Sequence, residues 1–182
     1  MEEPKIEIER RFLLKELPGA LHRPFRGVQS FDIFQSYLPE VIDNKVTRFR
    51  AQKDSVTGEE VYFLITKKKV SSKSAIETEE GLDHGRFFHY TMTASKGIRK
   101  IRFHYKCHTG LVWEIDLFPA NKQREQLIIA EVELKNEDVE VHVPHLIQEV
   151  LVREITEEPE FSNFNLASKE ELDTFLLRHS QE

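Results

Sequence analysis

Between residues 5 and 135 several short stretches alternate apolar and polar residues with a period of two, the spacing of half-buried strands. KIEIERRFLL (5–14) sends Glu7, Glu9 and Arg11 to one side, and Ile6, Ile8 and, past Arg10, Phe12 to the other. Further strands are expected at FDIFQSYL (31–38), KVTRFRAQK (45–53), EVYFLITKKK (60–69) and AIETEE (75–80), then IRKIRFHYK (98–106), LVWEIDLF (111–118) and QLIIAEVELK (126–135). Turn signals separate them: Leu17-Pro18-Gly19 opens a loop to Gly27, Pro39 ends the second strand, and Asp43-Asn44 and Thr57-Gly58 follow at hairpin spacing. In 81–97, Leu82, Phe87, Phe88 and Met92 make a helical stripe that Gly81, Gly85 and Gly97 weaken, so a loose helix or irregular cover is expected. After Pro144 the period changes, with Leu146, Ile147, Val150 and Leu151 at helix spacing. Thr156 to Phe161 is a charged linker, and Ser168 with Glu171 forms a capping box before a last helix, ELDTFLLRH. The pattern implies one domain over 1–182, with helices from about 144.

The polar faces carry charge sorted by sign. Acidic rows are Glu7/Glu9, Glu77/Glu79, Glu114/Asp116 and Glu131/Glu133; basic rows are Arg11, Arg48/Arg50, Lys67/Lys69 and Lys100/Arg102. Two architectures fit. An open sheet would pack its apolar face on helices and show its charges to water. A closed barrel would turn the charges inward and cover an apolar exterior with helices. Sorting by strand favours the barrel, because a solvated face tends to mix signs along each strand. Carboxylates clustered without His or Cys partners suit hard ions such as Mg²⁺ or Mn²⁺. Clustered Arg and Lys suit phosphate oxygens. A ligand answering both is itself anionic and metal-bound, as a triphosphate chelating Mg²⁺ is.

Composition narrows this further. Charged residues make up 32% of the chain and the net charge is −6, which argues against non-specific binding to nucleic acid or anionic membranes. One cysteine, Cys107, rules out an intrachain disulfide and suits a reduced, cytoplasmic setting. MEEPK is not the start of a usual signal peptide, and no stretch is long enough to span a bilayer as a helix. Alternation separates Lys68 from Lys67 and Lys69, so the triple lysine is a phosphate wall plus one solvated residue. His142 and His145 flank Pro144 and are expected at the surface; Trp113 is expected in the core. P-loop, Rossmann, HExxH and serine-nucleophile motifs are absent.

EIERRFLL resembles the ExExK signature of the CYTH superfamily, the triphosphate tunnel metalloenzymes. The similarity continues in order through QSYL, TRFRA, the strand ending at Lys67, Glu77-x-Glu79, Lys100-x-Arg102, WEIDLF, AEVELKNED and EITEEPEFSNFNLA, roughly residues 5 to 168. Its tail is most like that of the compact bacterial members. The resemblance implies an α+β fold built on an eight-stranded antiparallel tunnel that hydrolyses or rearranges a triphosphate. Glu7, Glu9, Asp116, Glu131 and Glu133 would hold one or two Mg²⁺ or Mn²⁺ ions. Arg11, Arg48, Arg50, Lys67, Lys69, Lys100 and Arg102 would grip the phosphates, with Glu7, Glu9, Arg11 and Glu131 nearest the chemistry. Glu77, Glu79 and Glu114 would stand behind them. The chain departs from the signature at Arg11, where lysine is usual. The expected activity is a triphosphatase on inorganic tripolyphosphate or a small organic triphosphate, working as a monomer or homodimer. The alternatives are a class IV type adenylate cyclase and a non-catalytic phosphate- or polyphosphate-binding module.

Overall fold

The structure is a computed structural model that describes residues 4–22, 28–39, 41, 43–136 and 138–179; the end of the loop expected up to Gly27 lies outside them. The described residues form nine strands: β1 (Lys5–Leu14), β2 (Val28–Tyr37), β3 (Lys45–Asp54), β4 (Glu60–Lys69), β5 (Ser74–Leu82), β6 (Lys96–Lys106), β7 (Val112–Phe118), β8 (Leu127–Leu134) and β9 (Leu151–Glu154). Four α-helices accompany them: α1 (His84–Thr91), α2 (His145–Gln148), α3 (Asn163–Leu166) and α4 (Lys169–His179). The sheet runs β5-β4-β3-β2-β6-β7-β8-β1-β9, and β1 also pairs with β5, so β1 to β8 close into an antiparallel barrel. The open-sheet alternative is thereby excluded.

Closure decides what each face meets. Outside β1, β7 and β8, Phe12, Trp113, Ile115, Ala130 and Val132 pack with Ile147 and Val150 from the segment after β8. Outside β2 and β3, Phe34, Phe49 and Ala51 pack under α1 and α4. α1 starts where Asp83 accepts a hydrogen bond from the Arg86 backbone N–H (2.8 Å), satisfying a donor that the first turn leaves open. Its Phe87 and Tyr90 rings lie on Tyr62 and Phe49. These contacts, not glycine content, set the helix. Trp113 is fully buried, and His142 and His145 are exposed. No helix among the described residues is long and apolar enough to cross a membrane.

The helical pattern expected from 144 holds for one turn only. Leu151 to Glu154 instead form β9 on the edge of β1. β5 pairs with β1 only as far as Ile8, which leaves the Phe12–Leu14 edge open. Buried backbone donors and acceptors need partners, and β9 supplies them. Helix spacing and a short strand's apolar residues could not be told apart over so few positions.

α4 is seated through Glu171. Its N–H bonds Ser168 Oγ, the first half of the capping box. Its carboxylate does not return to Ser168; it accepts from the Arg99 N–H (2.7 Å), Asn121 Nδ2 (2.5 Å) and Arg124 Nη2 (3.1 Å). Phe175 of α4 stacks on Phe34 with centroids 3.7 Å apart. Gly97 exchanges both backbone hydrogen bonds with Ser168, and a Cβ there would lie 2.7 Å from Phe34 Cζ. Because Phe175 holds that ring, Gly97→Ala is expected to cost about 1–3 kcal/mol through overpacking. Urea unfolding of the variant measures this, and an unchanged midpoint would refute it.

Candidate functional site

In an antiparallel ladder directly opposed residues share a face, so the registers trace the charged rows around the barrel. Arg11 opposes Glu131, Glu131 opposes Glu114, and Glu114 opposes His104. Glu9 opposes Glu133, Arg102 opposes Asp116, and Lys67 opposes Glu77. All of these but His104 and Asp116 line a cavity of about 540 Å³. Every site residue expected from the sequence lines it except Asp116. Asp116 is fully buried behind the wall, where it accepts from Lys100 Nζ (2.5 Å) and from Arg102 Nε and Nη2 (both 2.6 Å).

Each inward cation that faces an acid is tied to one. Lys67 Nζ stands between Glu7 (3.0 Å) and Glu9 (2.5 Å). Arg48 pairs with Glu77 (3.2 Å) and Arg50 with Glu79 (2.6 Å), which assigns Glu77 and Glu79 to the two arginines. Arg102 also bonds Glu131 (3.2 Å) and Glu114, and His104 reaches Glu114 at 3.2 Å. Glu133 takes Lys5 at the rim (2.7 Å). Arg11 turns to the chain after β9, donating to the Thr156 carbonyl at 3.2 Å.

Despite this pairing the cavity is electrostatically divided. Burial and the nearby Arg48 push the Arg50 guanidinium down to about 10, and burial and Arg102 push Lys100 down. Arg48 Nε and Arg50 Nε are buried with no hydrogen-bond partner. Arg50 and Lys100 are therefore short of negative charge, whereas Glu77 holds Arg48 up and Asp116 and Glu114 hold Arg102 up, each against the cost of burial. On the other side, burial raises Glu7, with Glu77 and Glu9 adding to the shift against Lys67. Burial and Asp116 raise Glu131. Burial also disfavours charge on Glu9, Glu114 and Asp116. There the cations prevail: Lys67 lowers Glu9, and Arg102 lowers Glu114 and Asp116.

The donor set on the acidic side, Glu7, Glu9, Glu131 and Glu133, is all oxygen, and two of its members, Glu7 and Glu131, are raised by burial and by neighbouring carboxylates. That chemistry fits a hard divalent ion. With Lys67 between Glu7 and Glu9 and Arg102 on Glu131, no three such groups are gathered as a ready cluster among the described residues. Sequence reasoning missed part of the wall. Gln35, Tyr37, Thr156, Glu157, Asn163 and Phe164 line the cavity too. Gln35 and Tyr37 were accessible from the alternation of β2, but the residues after β9 carry no periodic signal.

Asp116 neutralises two buried cations, so Asp116→Asn is expected to cost about 3–5 kcal/mol. The pH dependence has a definite sign. A carboxylate held below its usual value of about 4 contributes fully above that pH and loses the contribution as acid titrates the folded form. Glu7 and Glu131 act oppositely, since protonation at higher pH relieves their cost. Urea titrations are expected to show the gap between wild type and Asp116→Asn closing below about pH 4. A gap independent of pH would contradict this role.

No protein-family model matches the sequence, nor does any curated protein. Solved structures do match. The inorganic triphosphatase NE1496 is 26% identical, covering 92% of this chain and 95% of its own, with a TM-score of 0.56. The Bacillus halodurans protein bh2851, named as a candidate adenylate cyclase, is 11% identical over 81% of this chain and 98% of its own, at 0.55. PH1819 from Pyrococcus horikoshii OT3 is 15% identical over 72% and 80%, at 0.53. The last two speak for the fold alone. With its closed eight-stranded barrel, inward charges and ordered signature rows, this chain has the tunnel fold of the CYTH superfamily.

Proposed function

We propose that this chain is a divalent-metal-dependent triphosphatase whose substrate is inorganic tripolyphosphate or a small organic triphosphate. The observation that carries the proposal is the divided cavity. Arg50 and Lys100, pushed down by burial and by neighbouring cations, share the cavity with Glu7 and Glu131, pushed up by burial and by neighbouring acids. An anion alone would relieve one side and a cation alone the other. A metal-bound triphosphate relieves both. The likeness to the inorganic triphosphatase NE1496 supports the hydrolytic outcome.

Glu7, Glu9, Glu131 and Glu133 would hold Mg²⁺ or Mn²⁺, which supplies Lewis-acid neutralisation of phosphoryl oxygens when bound. Asp116 is assigned instead to fixing Lys100 and Arg102, since it does not reach the cavity. Arg48 and Arg50, which line the cavity, would grip the phosphate chain with their guanidinium groups and hold it in line. Lys100 and Arg102 neutralise charge that builds on the transferred group and its leaving oxygen. Lys67, drawn toward the anion, would release Glu7 and Glu9 for the cation. Glu131 is the candidate acceptor for the proton of the attacking water, its carboxyl lining the cavity and raised by burial.

Purified protein with Mg²⁺ or Mn²⁺ and tripolyphosphate is expected to release orthophosphate and pyrophosphate. Thiamine triphosphate and ATP in parallel define the organic range. Cyclic AMP from ATP would instead indicate a cyclase, and tight binding without turnover a phosphate-binding module. Glu9→Gln is expected to abolish turnover with an unchanged circular dichroism spectrum; full activity in that variant removes the carboxylate from the chemistry. Loss of one charge-assisted contact in Arg48→Ala is expected to raise KM about 10–100-fold. An unchanged KM would place Arg48 outside the binding site.

A further inference from the structure

We propose that Arg11 is a positioning residue: its guanidinium holds the turn after β9 as a wall of the cavity and masks two carbonyls that would otherwise confront a bound anion. The second half rests on the triphosphate reading; the first does not.

Arg11 lies across the ladder from Glu131, the acid nearest in register. Glu131 bonds Arg102 instead. Arg11 Nη2 donates to the Thr156 carbonyl at 3.2 Å and the Glu158 carbonyl at 3.5 Å. The backbone of Arg11 grips the same turn: its N–H donates to Thr156 Oγ1 (3.1 Å), and its carbonyl accepts from the Ile155 N–H (2.8 Å). Glu158 N–H closes the turn on the Ile155 carbonyl (3.1 Å). Thr156, Glu157 and Pro159, all within or next to this turn, line the cavity beside Arg11. The turn is tied from elsewhere as well. Arg10 forks onto Glu154, and Ser72 Oγ reaches Glu157, whose side chain is 64% exposed.

Peptide carbonyls and phosphate oxygens both only accept hydrogen bonds. Carbonyls of a turn that walls the cavity repel a bound anion unless a donor stands between, and Thr156 is one of the residues lining it. A guanidinium can do this, because its donors fan out in a plane and serve acceptors on two sides at once. An ammonium concentrates its donors at one point and serves the carbonyls or the anion. Arg11→Lys therefore keeps the charge and removes the bridge.

The test compares wild type, Arg11→Lys and Arg11→Met by hydrogen exchange on the protein alone and by kinetics on Mg²⁺-tripolyphosphate. Both variants are expected to exchange the amides of 155–162 about tenfold faster, with β3 and β4 unchanged. Both are expected to raise KM by about the same factor, tenfold or more, with a smaller change in kcat. Unchanged exchange in 155–162 in Arg11→Met overturns the positioning role. A wild-type KM in Arg11→Lys overturns the masking and makes Arg11 a simple charge for phosphate. Exchange requires no turnover, so it decides the first half even if the chain proves not to hydrolyse triphosphates.

Discussion

Four residue pairs, Lys5 to Ile8 on β1 against Ser74 to Glu77 on β5, turn a sheet into a tube. Without them the same alternation would describe an open sheet with charges facing water. With them, the face bearing Glu9, Arg48, Lys67, Arg102 and Glu131 becomes an interior. The opposite face becomes the apolar exterior that the helices must cover. Burying ionised groups is costly unless each is paired. Closure therefore dictates the ion pairs across the tube, and the ion pairs make closure tolerable.

The pairing is incomplete in an informative way. Lys67 serves two glutamates, Arg102 serves three acids, and Arg48 and Arg50 keep a buried donor each. Such an interior is stable enough to fold and still unbalanced locally. A fully satisfied network would hold nothing else; a fully unsatisfied one would not fold. Asp116 shows the difference, because its burial serves two neighbouring cations and leaves nothing for a ligand.

Much of this was legible in the primary structure. The bounds of β1 and β4 match the expected spans, and every inward row follows from period-two alternation. Sorting of sign by strand favoured the barrel over the open sheet, and the closure of β1 on β5 bears that out. Depth was not legible: alternation puts Asp116 on the inner face but cannot say that Lys100 and Arg102 would seal it off. β9 was not legible either, because its existence depends on where β5 stops along β1, a distant edge. The destination of Glu171 was hidden for the same reason. A capping box describes a local partnership, and Arg99, Asn121 and Arg124 are far away in sequence.

Strands far apart in the chain meet at β1. That strand, complete by Leu14, must wait for β8 and β9, which begin at Leu127 and Leu151. Contacts so remote along the chain form late and slowly. On a ribosome making the polypeptide from its amino end, β2 to β5 can pair as they emerge, but β1 gains its β8 and β9 partners only once the chain has been made past Leu127 and Leu151. Until then both sides of a curling ribbon are bare, one oily and one charged. Shielding during biogenesis is thus a need built into the topology, and it falls on the nascent stage rather than on the finished protein.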